Sequence, residues 1–116
     1  MLKKVVVCGA MVCFLAGYWA LGSARGADLT QGKTLYGSNC VLCHGVQGKG
    51  NGPAAMTLTP KPADFTAKSF WQTPGIEKTM ADVIKNGKGQ MPAFPSLSAG
   101  DIQAIVQYIE HTFKPQ

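Results

Sequence analysis

Arginine is absent from the chain after residue 26, and acidic residues are few throughout. The 116 residues contain eleven lysines and arginines against six aspartates and glutamates, which gives a net charge of +5. Three of these positive charges lie in residues 1–26, which hold no acid, so the remaining 90 residues carry only +2. A nucleic-acid-binding domain concentrates basic side chains on its folded part. The charge pattern therefore argues against nucleic-acid binding, and the length corresponds to one domain.

Apolar residues are also scarce after the first 26 positions. Only 35 of those 90 residues are Ala, Val, Ile, Leu, Met, Phe, Trp, Tyr or Cys, whereas ten glycines and all seven prolines lie there. A domain this small buries a limited share of its surface. The composition therefore predicts that something besides protein side chains completes the core.

Residues 1–26 have the pattern of a secretory signal peptide. A short cationic start precedes an apolar run over 5–22 and a zone of small residues, and cleavage after Gly26 would place small residues at −1 and −3. An uncleaved membrane anchor is the alternative, because an eighteen-residue run is at the lower limit for spanning a bilayer. Both interpretations place the domain of residues 27–116 in the periplasm, on the outside of the inner membrane.

Cysteine is nearly absent from the exported part, where only Cys40 and Cys43 remain and His44 follows directly. A disulfide framework needs more cysteines, and structural zinc usually has four ligands, whereas the other histidine, His111, is far along the chain. In a dithiol redox motif, a β-strand is expected before the first cysteine. A helical pattern precedes Cys40, which argues against such a motif. The remaining interpretation is covalent attachment of one c-type haem (heme c). Two thiols three residues apart reach the two porphyrin vinyl groups, and the adjacent imidazole reaches the iron.

A haem iron with one histidine ligand has a sixth position, for which four side chains compete. Met91 lies in a Gly/Pro-rich stretch, residues 87–94, that does not form a regular helix and is free to turn toward a cofactor. Met80 falls in a helical apolar pattern typical of core packing. Met56 is twelve residues from His44, and His111 is near the end of a helix. We predict Met91 as the ligand, with Met56 and His111 as alternatives. His/Met ligation raises the reduction potential relative to two nitrogen ligands.

The periodicity predicts an all-α fold with three main helices, and no strand-like alternation or repeat occurs after residue 26. Predicted helices run from a cap at Asp28 or Thr30 to about Cys40, from Thr73-Pro74 to Asn86 before Gly87, and from the Ser98–Asp101 capping box through Phe113, with a single turn within 64–70. Residues 45–63 are predicted as a loop because of their glycines and prolines.

These motifs resemble those of a class I cytochrome c, a small bacterial monohaem protein, over residues 27–113. The matching segments are Gly32–Tyr36, Asn39–Gly45, Gly48–Pro53, Ile84–Gly87, Gly89–Phe94, Leu97-Ser98 and Ile105–Ile109. The resemblance implies the cytochrome c fold, with the first and last helices crossing where Gly32, Tyr36 and Tyr108 lie.

The same resemblance implies further roles around the cofactor. A proline carbonyl accepts a hydrogen bond from the ligand histidine; Pro53 is the predicted residue and Pro60 a rival. Trp71 is a candidate donor to a haem propionate, and a buried aromatic satisfied elsewhere is the alternative. The exposed haem edge would be bordered by the segments that hold Lys49, Lys85 and Lys88.

The implied function is one-electron transfer between redox protein partners of a respiratory chain, without catalysis, because two protein ligands leave the iron no open site. One alternative is a membrane-anchored electron-entry subunit of an oxidoreductase complex. The other is a haem enzyme or sensor with an open site. It is disfavoured because residues 27–116 contain no arginine and only one histidine, His111, besides His44.

Overall fold

The computed structural model describes residues 24–116, and the predicted leader lies outside them except for its last three residues. Helices are the only regular elements of this part, besides an isolated antiparallel bridge between Lys88 and Met91. The helices are α1 (Ala24–Asn39), α2 (Val41–His44), a 3₁₀ turn (Ala55–Thr57), α3 (Lys68–Trp71), α4 (Ile76–Asn86) and α5 (Ala99–Phe113). The prediction of an all-α fold with three main helices is confirmed.

Helices α1 and α5 cross at Gly32, where the backbone of α1 lies directly on α5. A Cβ atom at position 32 would overlap the carbonyl oxygen of Ala104 and come within 2.7 Å of the Cβ of Tyr108. One turn further on, the buried Tyr36 ring packs at 5.5 Å from the Tyr108 ring and 5.4 Å from the Phe113 ring. The crossing implied by the resemblance is therefore present, and it depends on a residue without a side chain.

The core lies between α1, α4, α5 and Phe65 of a connecting segment. Its buried residues are Tyr36, Cys40, Phe65, Ile76, Met80, Ile84, Ile102, Ile105, Val106 and Ile109. Met80 is only 7% exposed, which confirms the prediction that this methionine packs in the core.

The starts of two helices differ from their predicted positions. Helix α1 begins at Ala24, ahead of both predicted caps. Helix α4 begins at Ile76 rather than after Thr73, because Gly75 adopts a left-handed conformation (φ 68°) that a helix does not contain. Its predicted end at Asn86 is confirmed, and Gly87 (φ 76°) follows it. The single turn predicted within 64–70 forms later in the chain, as Lys68–Trp71.

The predicted capping box at the start of α5 is confirmed. The backbone N–H of Asp101 donates to Ser98 Oγ (3.1 Å), and the backbone N–H of Ser98 donates to Asp101 Oδ2 (2.9 Å). Gln31 of α1 donates a further hydrogen bond to Asp101 (2.6 Å), so this carboxylate also joins the two crossing helices.

None of the helices within residues 24–116 has both the length and the apolar character needed to cross a bilayer.

The close crossing predicts opposite effects for two glycines of the same helix. We expect Gly32→Ala to lower the free energy of unfolding by about 1–3 kcal/mol, because its methyl group would force α1 away from α5. Gly37 has open space around its Cβ position, so Gly37→Ala should raise this free energy by about 0.5–1 kcal/mol. Denaturant titrations of the two variants and the parent test this. Equal effects at both positions would contradict the role of Gly32.

The capping box predicts a pH-dependent stability. Hydrogen bonds from Ser98, with a smaller contribution from Gln31, hold the pKa of Asp101 below its usual value. The stabilisation is therefore present above the unfolded pKa, about 3.9, and is lost as pH falls through the lower folded value. Asp101→Asn should be less stable than the parent at pH 7, and this difference should shrink toward pH 3. Asp82→Asn, which removes only an exposed ion pair to Lys78, is the control and should show little change at pH 7.

Candidate functional site

The two cysteines and the histidine of the predicted attachment site lie in one helical turn. The backbone N–H groups of Cys43 and His44 donate to the carbonyl of Cys40 (3.2 and 2.8 Å), and α2 extends over Val41–His44. Cys40 is buried, whereas Cys43 is half-buried. Because residues three apart share a helix face, this turn places both thiols on the same side.

The Cys40 thiol is poorly suited to redox exchange. Burial, with a smaller contribution from Cys43, raises the pKa of Cys40 to about 11. The thiolate is the reactive nucleophile in thiol–disulfide exchange, and this pKa leaves little of it at neutral pH. The turn is better suited to holding a group through both sulfurs.

The His44 ring is oriented by a backbone carbonyl of the following loop. Its Nδ1 lies 3.2 Å from the carbonyl oxygen of Ala63, and its ring stacks on Phe65 with centroids 4.7 Å apart. A carbonyl oxygen only accepts, so Nδ1 carries the proton and the lone pair lies on Nε2. Burial lowers the pKa of His44, which favours the neutral ring. His44 is therefore prepared to bind a metal ion through Nε2.

The carbonyl that meets His44 differs from the predicted one. Pro53 is exposed, as is its rival Pro60, and the hydrogen bond that the structure has for Nδ1 goes to Ala63. Both neighbours of Pro53 are hydrogen-bonded to α2 instead. The N–H of Gly52 donates to the carbonyl of Cys43 (3.0 Å), and the N–H of Ala54 donates to the carbonyl of Leu42 (2.9 Å). Sequence reasoning missed Ala63 because an alanine carbonyl has no distinguishing side chain.

The loop and α1 together immobilise the attachment turn. A Cβ at Gly52 would overlap the carbonyls of Val41 and Leu42, so only glycine allows this approach. From the other side, the buried Tyr36 hydroxyl donates to the carbonyl of Gly45 (2.8 Å). Burial raises the pKa of Tyr36, so the phenol stays protonated and keeps this donor.

Met91 lies at the end of a tight turn after α4. The backbones of Lys88 and Met91 exchange two hydrogen bonds of 3.0 Å, and Gly89 (φ 57°) turns the chain between them. Phe94 N–H returns to the carbonyl of Ile84 (3.0 Å), which fastens the turn to α4. The Met91 side chain is half-buried and packs against the core.

The competing ligands lie in other surroundings. Met56 is 85% exposed on the 3₁₀ turn, and His111 is exposed near the end of α5. Met80 is held in the core. Among the four candidates, Met91 is therefore the one that is in a loop and partly buried.

Trp71 has a different hydrogen-bond partner from the predicted propionate. Its indole N–H donates to the carbonyl of Phe65 (2.7 Å), and Lys114 Nζ lies 5.1 Å from the ring centroid. The structure therefore agrees with the alternative interpretation, in which the indole N–H of Trp71 is hydrogen-bonded within the protein. The bond helps to fix the segment that carries Phe65 beneath His44.

The donor set fits a c-type haem. The turn supplies two thiols on one face and a neutral imidazole with a directed Nε2, and the turn after α4 supplies a partly buried thioether. In a c-type haem, two cysteine thiols attach to the porphyrin vinyl groups, and an imidazole and a methionine thioether are protein ligands of the iron.

Comparisons with known proteins agree with this geometry. A family model described as cytochrome C oxidase, cbb3-type, subunit III, matches residues 27–109. Cytochrome c6 of Picosynechococcus sp. is 33% identical, over 93% of this chain and 92% of its own length. Cytochrome c6 of Synechocystis sp. is also 33% identical, over 83% and 76%.

A second kind of relative is much longer than this chain. The cbb3-type cytochrome c oxidase subunit FixP of Bradyrhizobium sp. is 34% identical over 77% of this chain, but the match spans only 29% of FixP. The likeness to FixP is thus confined to part of that subunit. Over its matched length, the chain belongs to the cytochrome c family as a small class I c-type cytochrome, an electron carrier with a covalently bound c-type haem.

Proposed function

We propose that this cytochrome is a periplasmic one-electron carrier with a His/Met-ligated haem. In this proposal Cys40 and Cys43 form the two thioether bonds, His44 is the proximal ligand and Met91 is the sixth ligand. The observation that carries it is the hydrogen bond from His44 Nδ1–H to the Ala63 carbonyl, because it fixes the ring and leaves the lone pair on Nε2 for the iron.

The bound haem supplies a single redox-active iron that alternates between the ferrous and ferric states. The chain's own contribution is to keep the two ligands in place in both states. His44 is fixed by Ala63 and Phe65, and its turn is fixed by Tyr36 and Gly52. A thioether ligand and its partial burial favour a high reduction potential.

The arrangement supports electron transfer without enzymatic catalysis. Two protein ligands leave no iron position for a substrate. A haem enzyme with an open iron site would also need a histidine or arginine as a distal acid–base group. Residues 27–116 contain no arginine, and the exposed His111 lies near the end of α5.

The pattern of residues 1–26 supports export, and a retained leader would anchor the cytochrome at the inner membrane. A stationary electron-entry subunit remains the second candidate, favoured by the match to part of FixP. A mobile carrier is favoured by the cytochrome c6 relative whose length this chain covers to 92%.

Three exposed lysines support docking to an acidic surface of the redox partner. Lys85 lies in the last turn of α4, Lys88 begins the turn that ends at Met91, and Lys49 lies in the loop after His44. No acid occurs between Asp82 and Asp101, and Asp82 is paired with Lys78, whereas Lys49 has Asp64 nearby; the positive charge of this surface therefore comes mainly from Lys85 and Lys88. Such local charge mainly accelerates encounter.

Replacing Met91 tests the ligand assignment. Met91→Ala should open the sixth position, so that imidazole or cyanide binds more tightly than to the parent. Met91→His should keep a low-spin iron but lower the reduction potential, because a second nitrogen ligand favours ferric iron. Optical titration and potentiometry measure both effects, and Met80→Leu provides a buried methionine control. Unchanged ligand affinity and potential in Met91→Ala would favour Met56 or His111 instead.

Reversing two lysine charges tests the docking surface. Lys85→Glu with Lys88→Glu should slow bimolecular electron transfer roughly tenfold at low ionic strength. The difference should fade as the Debye length falls to about 8 Å near physiological salt, and the potential should stay nearly unchanged. A matched control, Lys33→Glu with Lys68→Glu, makes the same change in net charge at exposed sites on α1 and α3. Equal slowing by both pairs would mean that net charge, rather than this surface, governs the rate.

A further inference from the structure

A side chain next to Met91 joins the turn after α4 to the loop that orients His44. The backbone N–H of Thr59 donates to Oε1 of Gln90 at 2.9 Å, across 31 residues of sequence. The other hydrogen bonds that the structure shows for residues 87–94 stay within the turn, go back to α4, or join Phe94 to Leu97 just after the turn. Gln90 is thus the polar link from this turn to residues 59–63.

The segment Thr59–Ala63 is hydrogen-bonded to His44 at one end and, at the other end, to Gln90, the residue before Met91. Its last residue, Ala63, accepts the hydrogen bond from His44, and its first residue, Thr59, donates to Gln90 beside Met91. A displacement of this segment would therefore affect both ends of the ligand pair.

The segment is itself anchored to its surroundings. Lys61 Nζ donates to the carbonyls of Ala55 (2.8 Å) and Met56 (3.2 Å), which fastens it to the 3₁₀ turn. Just beyond it, Phe65 N–H donates to the carbonyl of Gly48 (2.7 Å). Because Thr59 lies on an anchored segment, the position of its N–H is fixed. The hydrogen bond to this N–H therefore holds the Gln90 side chain in place.

We propose that Gln90 is a positioning residue for Met91: its amide oxygen holds the turn against the Thr59–Ala63 segment and so keeps the thioether at the iron. This proposal rests on the proposed ligation by Met91. The required group is an acceptor at the end of a side chain of this length, since the partner is a backbone N–H. Glutamate satisfies this requirement, whereas leucine fills similar space without an acceptor.

The test compares Gln90→Leu, Gln90→Glu and a control, Gln103→Leu, which changes an exposed glutamine on α5. Each ferric holoprotein is titrated with imidazole, and the far-red sulfur-to-iron charge-transfer band is recorded alongside. A net contribution of about 1 kcal/mol for the lost hydrogen bond predicts about fivefold tighter imidazole binding in Gln90→Leu. The band should also weaken at a lower imidazole concentration. Gln90→Glu and Gln103→Leu should stay within about twofold of the parent.

Denaturant unfolding separates positioning from general stabilisation. If Gln90→Leu lowers the unfolding midpoint but leaves imidazole affinity within about twofold of the parent, the residue is merely structural and the proposal fails. The proposal also fails if Gln90→Glu binds imidazole as tightly as Gln90→Leu, because the acceptor is then irrelevant.

Met91→Ala, titrated in parallel, distinguishes this failure from that of the proposed ligation. If Met91→Ala binds imidazole more tightly and Gln90→Leu does not, only the role of Gln90 is wrong. If neither variant differs from the parent, the ligand assignment is wrong and the positioning role falls with it.

Discussion

The close crossing of α1 and α5 at Gly32 is the contact on which the rest of the fold depends. Without a side chain at this position, the backbone of α1 rests on the carbonyl of Ala104. This approach brings Tyr36 between Tyr108 and Phe113, and the same ring extends its hydroxyl to the carbonyl of Gly45. The helix crossing therefore also sets the position of the turn that carries the cysteines and His44.

Around that turn, backbone groups do most of the positioning. The carbonyl of Ala63 orients the imidazole, and the carbonyls of Leu42 and Cys43 receive N–H groups of the loop that follows. Such bonds are short and have little side-chain freedom, which suits a cytochrome whose ligands must not move between oxidation states. A side chain makes the hydrogen bond where two segments distant in sequence meet, as between Gln90 and Thr59.

Several elements were predictable because their causes are local. The end of α4 before Gly87 and the capping box of Ser98 with Asp101 follow from residues within one turn. The core position of Met80 follows from the apolar period of its own helix. The predicted starts of α1 and α4 were wrong. Capping residues and Pro74 only permit a start there, whereas the left-handed Gly75 prevents α4 from beginning earlier than Ile76.

The sequence by itself determined the attachment chemistry, because the spacing of Cys40, Cys43 and His44 is set by the geometry of a single turn. It also determined the all-α architecture, through periodicity and the distribution of glycine and proline. Only the tertiary structure decided that His44 meets the carbonyl of Ala63 and that Gln90 meets Thr59. The tertiary structure likewise decided that the indole N–H of Trp71 donates to the carbonyl of Phe65. Backbone carbonyls and N–H groups are the same at every residue, so packing rather than residue type selects which of them meet.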